Sequence, residues 1–162
     1  MIRRGWIAVL LALLGLARAP AAAQPADAAA RFNGTWKVRI GGEEDGGHEA
    51  NGEFKLWALD EHRLRVEFYG NFIYKTGIGR VVNNGSASAV AIVRQGKAFF
   101  RADEEGECRF SMRVRRTTDL VVRQSGYNNC FGFNVTATGR YRRTSTARPT
   151  FIDDPPAPGA PD

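Results

Sequence analysis

The stretch EFKLWALDEHRLRVEFY, residues 53–69, constrains the fold of this chain more than any other. Apolar residues occupy every second position on both sides of a polar turn, the mark of strands with one buried face. If Leu59 pairs with Arg63, Phe54 lies opposite Phe68, Leu56 opposite Val66 and Ala58 opposite Leu64. On the other face Lys55 meets Glu67 and Trp57 meets Arg65. A slip of one residue would set Leu56 against Glu67, so the pattern specifies a register as well as a hairpin.

The same logic extends along the chain. In AFFRADEEGECRF, a Glu104-Glu105-Gly106 turn sets Phe100 against Phe110 and Ala102 against Cys108. In CRFSMRVRRTTDLVVRQ, Met112 faces Val122, Val114 faces Leu120, and Arg115 meets Asp119 on the outside. A Gln95-Gly96 tip brings Ala91 opposite Phe100. The expected strands are Asn33–Ile40, Gly52–Leu59, Arg63–Tyr74, Ser86–Arg94, Lys97–Asp103, Glu107–Arg115, Asp119–Ser125 and Phe133–Arg143. Successive hairpins of even number predict an all-β, eight-stranded antiparallel up-and-down barrel, closed by its last strand on its first. The alternative is a two-sheet β-sandwich.

The ends differ in character. Arg3 and Arg4, an apolar run from Ile7 to Leu16, and Ala21-Ala22-Ala23 before Gln24 make residues 1–23 a signal peptide in the bacterial style. That apolar run is shorter than the roughly 20 residues of a membrane span, so the expected location is periplasmic or secreted. Residues 24–30 read as a linker and 31–144 as the barrel domain. Residues 145–162, with five prolines from Pro149 onward, read as a disordered tail. The formal net charge is +6. Arg3, Arg4 and Arg18 fall in the leader, and Asp27, Asp153, Asp154 and Asp162 fall near the ends of the mature chain, leaving a basic domain between them.

FNGTWKV carries a Gly-x-Trp in Gly34 and Trp36 on the first strand, and this resembles lipocalin-type barrels. CRFSMRV, LVVRQSG and CFGFNVTATGRYRR resemble the C-terminal part of small secreted bacterial lipocalin-like β-barrel proteins, some of them similar to lysozyme inhibitors. The resemblance implies the barrel fold and an exported, non-enzymatic binding or inhibitor role.

The chain has two cysteines, Cys108 and Cys130. The register sets Cys108 near Gly126, four residues before Cys130, and in an oxidising compartment such a pair is expected as a disulfide. No histidine accompanies either cysteine, as a nucleophile or a metal site would require. Glu43, Glu44, Asp45, His48 and Glu49 sit together in a glycine-rich acidic loop, but the calcium-loop pattern is lacking and a solvated loop is expected. Asp60 and His62 share a hairpin turn with no nucleophile beside them.

Two binding readings remain. Ala87, Ala89 and Ala91 on the inner phase leave room for a small apolar ligand inside the barrel, unless aromatic rings fill it. Arg113, Arg115, Arg123, Arg140 and Arg142 share the outer phase of strands six to eight with Ser111, Thr136 and Thr138. That strip suits the sulfate, phosphate or uronate groups of an anionic envelope glycan or lipid. Ile92 and Phe99, with Val90 nearby, also point outward. No cofactor, metal site, catalytic residue or membrane span is expected, and nucleic acid is disfavoured without a stacking platform on the basic face. The alternative to a binding barrel is a metal-dependent or hydrolytic enzyme.

Overall fold

The computed structural model describes residues 27–41, 48–102, 107–126 and 130–155. The expected signal peptide, the acidic positions Glu43 to Asp45 and the tip Glu104-Glu105-Gly106 lie outside the described residues. A single helical turn, α1 (Asp27–Ala30), precedes eight strands: β1 (Gly34–Gly41), β2 (Glu49–Ala58), β3 (Arg63–Thr76), β4 (Gly79–Arg94), β5 (Lys97–Arg101), β6 (Cys108–Arg116), β7 (Asp119–Gly126) and β8 (Gly139–Ser145). They form a closed antiparallel barrel in sequence order, with β8 returning to β1. This is the expected architecture, and the sandwich is set aside.

The registers read from alternation recur in the ladder. Phe54 pairs with Phe68, Leu56 with Val66, Ala58 with Leu64, Lys55 with Glu67 and Trp57 with Arg65. Phe100 pairs with Phe110, Met112 with Val122 and Val114 with Leu120. One expected pair does not form. A bulge between Val114 and Arg116 adds a residue to β6, so Arg116, and not Arg115, lies opposite Asp119.

Several strand ends shift by one to three residues, and two strand starts differ more widely from expectation. β4 begins at Gly79, not Ser86, and pairs with β3 through a tight turn at Gly77-Ile78. Asn83-Asn84-Gly85 has turn-like chemistry but stays in the strand. Gly85 is needed there because a methyl group would overlap the carbonyl and Cβ of Phe131. β8 begins at Gly139, not Phe133. Val135 and Ala137 keep the buried alternation, but the Gln124 side chain and the Thr138 hydroxyl replace the ladder. Gln124 Oε1 accepts from the Ala137 amide at 3.2 Å, and Thr138 Oγ1 accepts from the Gln124 amide at 3.0 Å.

Aromatic rings fill the barrel. Phe54 stands 4.8 Å from Phe68 and 5.0 Å from Tyr141, centroid to centroid, and Phe100 stacks on Phe110 at 4.6 Å. Phe131 enters from one end, 4.7 Å from Phe68 and 5.2 Å from Phe110. The Cys108–Cys130 disulfide anchors that insertion, as expected from the sequence. At the other end Ala29, Phe32 and Trp36 are fully buried. Trp36 Nε1 donates to the Phe32 carbonyl at 2.8 Å, and the Arg143 guanidinium caps the indole at 4.1 Å. The expected linker therefore begins to pack by Ala29, because its apolar side covers the core.

The tail also departs from expectation. Ser145 belongs to β8, and the described residues beyond it, 146–155, lie as a strap across the outer face of β2 and β3. Phe151 is 2% exposed and sits under Arg65, 4.2 Å from ring centroid to guanidinium. Lys55 Nζ donates to the Thr150 carbonyl at 2.7 Å, and the Ile152 amide donates to Glu67 Oε1 at 2.7 Å. The outward residues Lys55 and Glu67 thus bind the strap's backbone, and Arg65 binds its Asp153 and Asp154 carboxylates. Composition alone conceals this, since one phenylalanine in a proline-rich segment supplies the anchor.

Candidate anion-binding face

The five arginines singled out from the sequence all lie on the outside of β6 to β8 and are exposed. Cross-strand pairing arranges them in rows. Ser111 stands opposite Arg123, and Val121 lies between Arg113 on β6 and Arg140 on β7's other side. Asp119 lies between Arg116 and Arg142. Arg115 sits within the bulge, next to these rows.

Asp119 organises one end of this face. It is fully buried, and its Oδ2 accepts from Arg140 Nη2 at 2.6 Å. Its Oδ1 lies 2.8 Å from Arg142 Nη1, an ion pair without hydrogen-bond alignment. The carboxyl is held below the usual aspartate range, chiefly by the Arg140 hydrogen bond, with burial opposing and Arg142 and Arg116 adding to the effect. One carboxylate therefore engages two arginines, where the sequence allowed for one. Among the described residues, no carboxylate comes within ion-pair distance of Arg113, Arg115 or Arg123.

Three cations escaped the sequence reading. An open groove of about 580 Å³ is lined by Arg31, Arg113, Arg115, Arg116 and Arg140, with Gln95 and Gly96 at its rim. Arg31 Nη2 donates to the Val114 carbonyl at 3.1 Å, which brings the residue just after α1 onto β6. A smaller adjoining hollow adds Lys97 to Ser111, Arg113, Arg115 and Arg123. Lys97 was within reach of sequence reasoning, because the Phe100–Phe110 register carries it towards Arg113. Arg31 had no such signal, since it precedes the first strand. Thr136 and Thr138 are turned to Gln124, so they brace the segment before β8.

The described residues of the other candidates are engaged in local structure. His48 stacks on Phe72 at 5.9 Å, and Glu49 bonds Asn51 and Arg39. Among the described residues, no three His, Cys, Asp or Glu side chains gather as a metal site. Asp60 accepts from the amides of His62 and Arg63 and from the Arg63 side chain, which makes it the organiser of its turn. The cysteines are joined to each other. No helix among the described residues is long and apolar enough to cross a membrane. Comparison with protein-family models, curated proteins and solved structures finds no match.

Proposed function

We propose that this chain is an exported, non-enzymatic binding barrel of the bacterial envelope, and that its basic face holds an anionic glycan or lipid. The observation that carries the reading is the ratio of charges on that face. Arg113, Arg115, Arg123, Arg140 and Arg142, joined by Arg31, Arg116 and Lys97, share that face with one buried carboxylate, Asp119, which engages Arg140 and Arg142. Clustered guanidinium groups repel one another, and a multivalent anion relieves that repulsion while matching their planar donor geometry. The rings packed through the barrel favour the outer face over the interior as the binding surface. The disulfide fits an oxidising compartment, in keeping with export.

The test is titration with lipopolysaccharide vesicles and with polygalacturonate at low and high salt. Arg113→Glu/Arg123→Glu removes two cations that do not hold Asp119. Wild type is expected to bind at least one probe, with affinity falling steeply as salt rises, because exposed charges are screened over about 10 Å at 0.1 M. The double variant is expected to lose that binding while keeping its melting temperature. Equal affinity for both proteins, or binding by neither, rejects the proposal.

A further inference from the structure

The wall of the barrel splits between β4 and β5. β4 has 16 residues and β5 has 5. They share three pairs, Ile92–Phe99, Val93–Ala98 and Arg94–Lys97. Beyond Phe99, β5 stays with β6, while β4 runs on to Gly79 with β3 as its neighbour. Among the described residues, nothing pairs with the other edge of β4 between Gly79 and Ala91. The Val93 amide donates to the His62 carbonyl, on the β3 side. In an antiparallel ladder the bonded edge alternates from residue to residue. Ser86, Ser88 and Val90 therefore turn their N–H and C=O groups to the open edge. Their side chains are exposed, and Phe131 backs the strand at Gly85.

Natural proteins guard such edges with charges, prolines or bulges. Residues 81–93, VVNNGSASAVAIV, contain no charged residue and no proline. The β3–β4 register also runs without a shift from Arg63–Ile92 to Thr76–Gly79. Where the strands part lies an open cleft of about 630 Å³. Ala89, Phe100 and Phe110 line it, Val90, Ile92 and Phe99 border it, and Arg94 and Arg101 supply charge. Among the described residues, no carboxylate lies within ion-pair distance of Arg94 or Arg101.

We infer that the free edge of β4 over Ser86–Val90, with the cleft beside it, docks an extended segment of a partner polypeptide that alternates apolar and polar residues and carries a carboxylate at the end that meets the cleft. Main-chain bonds to Ser86, Ser88 and Val90 supply affinity, and alternate side chains entering the cleft supply selectivity. Charge complementarity decides the occupant. The edge that a second copy would add, residues 81–93, carries no carboxylate to meet Arg94 and Arg101. The terminal sequence PAPGAPD lacks amide donors at its prolines, so it makes a poor added strand.

The probe is a fluorescein-labelled peptide, EVTVTVE, titrated into the mature protein by anisotropy, with KVTVTVK as its charge-reversed control. Ser88→Pro removes an outward N–H while sparing the bonds to β3, Val90→Lys guards the edge with a charge, and Arg101→Glu reverses the cleft's charge. Wild type is expected to bind EVTVTVE and to slow amide exchange at Ser86, Ser88 and Val90. Each variant is expected to bind about tenfold more weakly or worse, the scale of losing one or two hydrogen bonds. If Ser88→Pro does not fold, the other two variants decide. No binding by wild type, equal binding of KVTVTVK, or undiminished binding by Val90→Lys and Arg101→Glu would overturn the inference. So would a wild-type dimer in sedimentation equilibrium that Val90→Lys dissolves, since the edge would then belong to a second copy.

Discussion

Asp119 is enclosed by the barrel wall while the two arginines that hold it, Arg140 and Arg142, remain exposed. Its carboxyl is stabilised in the charged form, so its folded pKa lies below the ordinary value of 3.8. In the unfolded chain it takes up a proton first as pH falls. Its contribution to stability is therefore full above the ordinary aspartate range and is lost as pH drops below 3.8 through the folded value. Asp119→Asn is expected to lower the melting temperature at neutral pH and to flatten the acid limb of a melting-temperature-against-pH curve. An unchanged acid limb would assign that limb to other carboxylates, of which Asp154 is one, held low mainly by the Phe151 amide. The outward phase of the arginines was legible in the alternation of β6 and β7, since Cys108, Phe110, Met112 and Val114 fix the opposite phase. The burial of Asp119 was not, because it depends on the bulge at Val114–Arg116 and on the neighbouring strand.

Among the elements, hairpins and strap behave differently. β2 and β3 could be aligned residue by residue because each partner lies within a few residues of the turn, and side-chain period and turn length act together. The strap could not be foreseen. Its partners Lys55, Arg65 and Glu67 are roughly 85 to 95 residues away, and in the sequence they look like an ordinary solvated strand face. Phe151→Ala is expected to cost about 3 kcal/mol, at the low end for a buried phenylalanine. Thermal or denaturant unfolding measures it, and native-state proteolysis after Arg148 should accelerate. A loss within about 0.5 kcal/mol, the range of ordinary surface substitutions, would mean that the strap adds little to the fold.

Over the whole molecule, closure depends on the seam between β1 and β8. The pairing shifts between Thr35 and Trp36, and Gly34 adopts φ +119° beside it, where a side chain would overlap the Ser145 carbonyl. Gly34→Ala is expected to destabilise the protein by about 2 kcal/mol, the scale of a left-handed backbone position forced on a residue with a Cβ. Amide exchange in β1 and β8 should rise more than in the β2–β3 hairpin, and uniform protection across the three would contradict this account of the seam. The sequence by itself determined the strand phases, the registers of the β2–β3 and β5–β6 hairpins and of β6–β7 up to the bulge, the even strand count and the pairing of Cys108 with Cys130. Each follows from short-range alternation or from elements joined by a few residues. Only the tertiary structure decided that β4 outruns β5, that Phe131 enters behind Gly85, that residues 146–155 strap β3, and that Arg31 and Lys97 join the basic face. Those outcomes depend on which distant surfaces meet once the barrel closes, and no periodicity within a strand encodes them.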